Sequence, residues 1–204
     1  MTGFLVGKRL TLREMEDRDW MDVHRYASQP SVCQYQPWGP NTEEESQLFV
    51  QQVMADAAVN PRSRFVFAVT ENDVLIGAGE LNIRSFTNRE GEIGYIIHPD
   101  YWGEGYATEV ATLLINFGFE NLSLHRIFAT CDPRNVGSST VLGKVGMTHE
   151  GRIRENLLLE EGWRDSFLYS VLDSEWRKKR GGIRCRKRLK FLYLELFICL
   201  NMMT

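Results

Sequence analysis

The sequence predicts an α+β domain whose elements run β-α-α-β-β-β-α-β-α-β-β, and three stretches carry that reading. Gly91–Gly118 reads as a strand, a glycine-punctuated loop and a helix. Arg64–Thr70 and Val74–Ile83 are strand-like runs around the turn Glu71-Asn72-Asp73. Gly151–Leu159 and Trp163–Leu172 alternate on either side of Glu160-Glu161-Gly162, a hairpin signature.

From the start, Lys8–Arg13 alternates like a first strand. Asp17–Tyr26 reads as a helix with Asp17 as N-cap and Trp20, Val23 and His24 on one face. Tyr35–Pro40 holds two prolines and a glycine, so it reads as a loop. Thr42 and Glu45 have the spacing of a capping box that opens a helix through Ala58. Asn88–Gly91 turns the chain into a central strand in which Ile93, Tyr95 and Ile97 alternate with Gly94 and Ile96. Pro99 stops that strand, because it brings no N–H to a ladder. Apolar residues from Ala107 to Phe117 then recur at helical spacing. His125–Thr130 is a further strand, Asp132–Asn135 a turn, and Ser138–Val145 a short helix with Gly146 at the C′ position.

The loop between the central strand and the long helix draws the functional reading. Gly103 and Gly105 let the backbone bend so that successive N–H groups, with the helix dipole behind them, face one place, as phosphate sites require. A tight turn that only joins strand to helix is the alternative. Two other phosphate loops are excluded: no Gly-Lys-Ser/Thr follows, and Thr108 stands where a dinucleotide fingerprint has its third glycine.

The run Tyr101–Glu109, Tyr-Trp-Gly-Glu-Gly-Tyr-Ala-Thr-Glu, resembles the pyrophosphate loop of the GNAT family of N-acetyltransferases, whose pattern is Gln/Arg-x-x-Gly-x-Gly/Ala. Gly105 and Ala107 match its last two fixed positions, and Trp102 stands where Gln or Arg is usual. That departure is similar to the branch acetylating ribosomal-protein N-termini at alanine or serine. The resemblance covers Val6–Trp176 and implies the GNAT fold, a mixed, mostly antiparallel central sheet flanked by helices. It implies a domain over residues 1–176. Residues 177–204, basic and then apolar, fall outside it and read either as a membrane-surface or partner-binding tail or as sequence appended by a frame change.

The same resemblance implies acetyl-CoA as cosubstrate, no metal, and direct attack by an amine in a ternary complex. It assigns the pyrophosphate to main-chain N–H groups across Gly103, Glu104, Gly105, Tyr106, Ala107 and Thr108, and the pantetheine arm to main-chain groups of Ile96, Ile97 and His98. The family's Asn-x-x-Ser, then Leu-x-Lys-x-Gly-Phe, is matched by Asn135-Val136-Gly137-Ser138 and Leu142-Gly143-Lys144-Val145-Gly146-Met147. Asn135 would bind the cofactor arm and Ser138 would sit near the sulfur. Turn residue and helix N-cap are their alternatives. Many relatives place a tyrosine four residues after the serine, as an acid for the leaving thiolate; here it is Leu142. Either Ser138 is then the donor or the thiolate leaves unaided; Glu92 is the leading base, with Glu80 second, and an exposed strand-end carboxylate is the alternative for Glu92. Cys131 offers an acetyl-cysteine route or is a buried, inert thiol. Tyr35 and Trp38 either touch the acceptor or pack locally.

The whole chain narrows the setting. Its 204 residues suit one domain, and four cysteines with no Cys-x-x-Cys pair fit reduced thiols in the cytoplasm rather than a zinc site. Met1–Phe4 leads straight into a strand pattern, without a signal or transit segment. The apolar run Phe191–Leu200, broken by Glu195, is too short to span a bilayer. Of 24 Lys/Arg and 27 Asp/Glu, the tail holds nine and one; residues 1–176 keep 15 and 26, a net charge of −11. An acidic body favours cationic amines over nucleic acid, with solubility as the alternative reading of the same charge. A protein or peptide α-amine is the expected acceptor, a small amine the second, and an idle acyl-CoA-binding module the third reading; a homodimer is compatible with all of them.

Overall fold

The computed structural model describes residues 4–159 and 161–179. Its elements are β1 (Leu5–Val6), β2 (Thr11–Glu14), α1 (Trp20–Ala27), α2 (Pro30–Cys33), α3 (Glu43–Ala57), β3 (Arg64–Glu71), β4 (Val74–Ser85), β5 (Glu90–Ile97), α4 (Tyr106–Glu120), β6 (Arg126–Cys131), α5 (Val136–Lys144), β7 (Thr148–Leu159), β8 (Gly162–Leu172) and α6 (Asp173–Lys179). The eight strands form one sheet in the order β1-β2-β3-β4-β5-β6-β8-β7. Neighbours are antiparallel except β5 and β6.

Both faces of the sheet are covered along its middle strands, while β7 is largely exposed, and strand alternation divides the core. On β3, Phe67 and Val69 join α4 on one face, while Val66 and Ala68 meet α1 and α3 on the other. That is why Val66–Val69 reads as a continuous apolar run. α4 turns Val110, Ala111, Leu114, Ile115 and Phe119 into the sheet, each 2% exposed or less. Burial of such a side chain contributes roughly 1.5–3 kcal/mol when it is large. Leu114→Ala would therefore cost about 2–5 kcal/mol, cavity included.

The sheet parts in its middle. β4 and β5 stay paired from Ser85↔Glu90 to Gly77↔Ile97, but β5 and β6 are paired only from Glu90↔Arg126 to Glu92↔Phe128. β6 continues to Cys131 alongside β8. A wedge thus opens between Ile93–Ile97 and Ala129–Cys131.

Several boundaries differ from the sequence expectation, each for a local reason. The first strand is Thr11–Glu14 rather than Lys8–Arg13, because the N–H groups of Arg9 and Leu10 go to the Glu109 carboxylate at 2.9 and 3.2 Å. Gly7 N–H donates to Leu10 O, folding Leu5–Val6 back as the unexpected β1. Asp17 is not an N-cap: a 3₁₀ turn at Asp17–Asp19 precedes α1. The buried Asp19 carboxylate holds it, accepting Glu16 N–H at 2.8 Å and both terminal nitrogens of Arg13 at 2.7 and 2.8 Å. The short α2, opened by Pro30, was not foreseen. β6 starts one residue later than expected, since His125 N–H is taken by Arg89 O. The capping box of α3 is present, with Thr42 and Glu45 exchanging bonds of 2.8 and 3.2 Å.

At the other end, α6 carries Trp176 against Phe119 and runs on to Lys179, whose Nζ donates to Gly146 O at 2.9 Å. The expected tail beyond residue 179 lies outside the described residues. Among the described residues, no helix is long and apolar enough to cross a membrane.

Candidate active site

One wall of the wedge leads to the glycine loop. After β5, His98 Nδ1 accepts Asp100 N–H at 3.2 Å and caps a 3₁₀ turn at Pro99–Tyr101. Trp102 then swings its indole back, and Nε1 donates to Ile97 O at 2.7 Å. Gly103 and Gly105 follow at φ +83° and +82°, a region that side-chain-bearing residues rarely adopt. A Cβ on Gly103 would meet nothing within 4 Å, and one on Gly105 would lie 3.7 Å from Arg9. The glycines therefore answer a torsional need, not a crowded one.

α4 begins at Tyr106 without a side-chain cap. Among the described residues, the N–H groups of Gly103, Glu104, Gly105, Tyr106, Ala107 and Thr108 have no protein acceptor, while Glu109 N–H returns to Gly105 O. Six donors at the positive end of a fifteen-residue helix fit an anion such as a diphosphate.

Side chains brace this helix start from below. Tyr106 donates its phenol to Glu71, and the Arg9 guanidinium lies 4.1 Å from the centre of the Tyr106 ring. Arg9 also pairs with Glu109 at 3.3 Å. Burial alone would raise the Glu109 carboxyl, but the N–H groups of Arg9 and Leu10 and the Arg9 guanidinium outweigh it and hold the group below its ordinary value.

Beyond the loop, His98 N–H donates to Ile76 O at 2.8 Å. By strand alternation, the main-chain groups of Ile97 and Tyr95 point to the parted side, whereas those of Ile96 and His98 face β4.

The opposite wall comes from β6 and α5. Asn135, not Ser138, is the N-cap of α5: its Oδ1 accepts Ser138 N–H at 2.9 Å, so the helix starts two residues before the expected Ser138. Ser138 Oγ lies 3.2 Å from the Tyr95 hydroxyl, which reaches it from β5 across the wedge. Burial raises the Tyr95 phenol and the Ser138 bond offsets only part of that rise, so the phenol keeps its proton. Sequence reasoning took Tyr95 for an ordinary strand residue; its period-2 position on the central strand was the only signal. Leu142 is buried and offers no acid. Burial likewise raises the Cys131 thiol, whose sulfur is 3.5 Å from Ser139 Oγ, and this leaves it protonated and a poor nucleophile.

A cavity of about 610 Å³ occupies the face covered by α1 and α3. It brings together Tyr35, Trp38, Glu80, Glu92, Ile96, Cys131, Asn135 and Ser138, together with Tyr95 and Arg164. Ile97, His98 and the 103–108 loop do not line it. Glu92 meets Arg84 at 2.6 Å and Thr130 Oγ1 at 3.4 Å; Glu80 meets Arg64 and Asn82 at 3.4 and 3.1 Å. The Tyr35–Trp38 loop is anchored by Arg164, whose Nη1 donates to Tyr35 O at 2.7 Å. Arg164 was missed from the sequence, where it reads only as an alternating polar residue of a hairpin strand.

A parted sheet, a glycine-opened helix with free amides, and a half-open cavity across the gap define a GNAT-type N-acetyltransferase. The chain belongs to that family: the model of the Acetyltransferase (GNAT) domain matches residues 9–148. It is similar to the uncharacterized N-acetyltransferase YnaD of Bacillus subtilis, 37% identical over 169 residues that cover 83% of this chain and 96% of that one. A solved GNAT acetyltransferase from Bacillus anthracis is 33% identical, with a TM-score of 0.75 over 85% of this chain and 100% of the other. Relatives named for their acceptors differ. The [ribosomal protein uS5]-alanine N-acetyltransferase of Escherichia coli is 27% identical, covering 86% of this chain and 94% of that one. The spermidine N(1)-acetyltransferase of the same organism is 26% identical, with 81% and 87% covered.

Proposed function

We propose that this enzyme transfers the acetyl group of acetyl-CoA to a primary amine, in the first place the α-amine of a peptide or protein N-terminus. One observation carries the reading: the free amides of the 103–108 loop follow one wall of a parting in the sheet, and the Tyr95–Ser138 hydroxyl pair spans that same parting. Acetyl-CoA supplies a thioester whose carbonyl carbon is open to attack by an amine.

The chain's own residues then have three tasks. The amides of Gly103–Thr108 hold the diphosphate, and the outward main chain of Tyr95 and Ile97 steers the arm into the wedge. Ser138 Oγ, held by Tyr95, donates a hydrogen bond to the departing thiolate, which takes its proton from solvent, at the place of the tyrosine that Leu142 replaces. Glu92, at the cavity wall, accepts the proton that the attacking amine must lose, directly or through water. With Cys131 protonated and buried, no covalent acetyl-enzyme is needed, and placement of the two reactants does much of the work.

The acceptor enters from the cavity face, beside Tyr35 and Trp38. Each carboxylate there is already matched by an arginine, which supports a singly charged amine over a polycation such as spermidine. Thiol release from acetyl-CoA with N-terminal peptides, amino acids and polyamines tests this. Turnover confined to peptides supports the first reading, and turnover confined to small amines replaces it with a small-molecule acetyltransferase. CoA binding without turnover on any amine would make the protein an acyl-CoA-binding module.

A further inference from the structure

The three arginines of the cavity are not equivalent. Arg64 bonds Asp56 at 2.9 Å and Glu80 at 3.4 Å, and Arg84 bonds Glu92 at 2.6 Å. Arg164 is the most enclosed, its side chain only 10% exposed, and among the described residues it hydrogen-bonds no carboxylate. Its bonds go to neutral oxygens, Tyr35 O at 2.7 Å and Ser166 Oγ at 2.9 Å. Its Nε is buried and has no hydrogen-bond partner among the described residues.

The nearest carboxylate is Asp132, with Oδ2 at 3.9 Å from that Nε, beyond hydrogen-bond reach. Asp132 is committed elsewhere. Its Oδ1 accepts Arg134 N–H and Nε at 2.7 and 3.1 Å, and its Oδ2 accepts Arg134 Nη2 at 2.9 Å. Burial pulls the Arg164 guanidinium down, with Asp132 compensating only in part. A guanidinium remains charged regardless, so the cavity wall keeps a desolvated positive charge whose hydrogen bonds go to neutral oxygens and whose ion-pair neighbour, Asp132, is shared with Arg134. Such a charge gains most from an anion that brings its own hydrogen-bond acceptors.

We propose that the acceptor is an amine carrying a carboxylate a few atoms away, and that this carboxylate docks against Arg164 while the amine lies toward Glu92 and Ser138. The proposal rests on reading the cavity as the acceptor pocket. Two sources supply the same chemistry: the α-carboxylate of a free amino acid, and an acidic side chain at the first position of a peptide. Glu80 and Glu92 are each paired with another arginine and Asp132 is held by Arg134, so among the described residues no carboxylate lining the cavity hydrogen-bonds the docking charge or stands unpaired to draw in a polycation.

Binding of matched probes to the full chain, by calorimetry in the presence and absence of CoA, tests this. The probes are leucine against leucinamide, Asp-Ala-Phe-amide against Asn-Ala-Phe-amide, and spermidine. At least one carboxylate-bearing member should bind about tenfold or more tighter than its neutral partner. The pair that discriminates identifies the source. Arg164→Gln should bring that ratio to about one, and Arg164→Lys, which can still reach the Tyr35 carbonyl, should keep part of it. Equal binding within both pairs, discrimination surviving in folded Arg164→Gln, or preferential binding of spermidine would each overturn the proposal. Absence of CoA binding would instead sink the acetyltransferase reading, and the probe ratios measured without CoA would still decide the role of Arg164.

Discussion

Replacing Gly105 separates the phosphate role of the loop from its role as a turn. The residue sits at φ +82° with no protein atom closer than 3.7 Å to a Cβ, so a side chain meets torsional resistance rather than a clash. For Gly105→Ala the cost is roughly 1–2 kcal/mol, the penalty of a left-handed residue, and more for the β-branched Gly105→Val. If the backbone relieves that strain by leaving the positive-φ region, the peptide planes on both sides turn, and at least two of the six unpartnered N–H groups lose their common aim. A hydrogen bond to a charged group contributes about 1.5–3 kcal/mol. Loss of two predicts CoA binding weaker by about 3 kcal/mol or more, on the order of a hundredfold in Kd. Titration calorimetry with CoA reads the affinity, and thermal melting with far-ultraviolet circular dichroism establishes that the variant is folded. A folded Gly105→Val protein that binds CoA as tightly as the unaltered chain would refute the assignment of the diphosphate to this loop.

Three further outcomes follow from the geometry. Tyr95→Phe should lower kcat by roughly 10–100-fold with little change in KM for the acyl donor, and should make the rate more sensitive to the basicity of the leaving thiol. A series of acetyl thioesters reads this, and an unchanged sensitivity would remove Tyr95 from support of the leaving thiolate. Glu92→Gln should reduce turnover by about 100-fold or more while leaving CoA affinity intact; undiminished kcat would rule it out as the base. Glu109→Gln should destabilise the fold by about 1–2 kcal/mol near neutral pH. Because the folded carboxyl is held below its ordinary value of 4.5, its contribution is present above that value and lost as the pH falls through the folded one. Denaturant melts of the two proteins should therefore converge in acid, and a gap that persists at low pH would contradict the ionic origin.

The order of elements was legible because hydrophobic period and turn chemistry are local. The hairpin at Gly162, the capping box at Thr42 and Glu45, and the Gly103–Gly105 bend each declare themselves within a few residues. Boundaries shifted where a distant side chain took over a main-chain group, as when Glu109 claimed the amides of Arg9 and Leu10. The wedge was not legible from the residues alone, since nothing in Ile93–Ile97 marks that its neighbour is lost after Glu92. Tyr95 and Arg164 escaped notice for the same cause. Their significance lies in Ser138 and in the Tyr35 loop, which the chain brings near only after the sheet is assembled. Asn135 illustrates a middle case: its turn-forming habit was readable, but whether it or Ser138 would cap the helix was decided by the first turn of α5.

An interruption in the interior of a sheet, unlike a groove at its rim, has two mouths. One opens beside the start of α4, the other into the chamber under α1 and α3. Two visitors can thus occupy it at once without either having to leave first, and a single molecule tethering a CoA-like half to an amine-like half through the gap should bind with the combined grip of both.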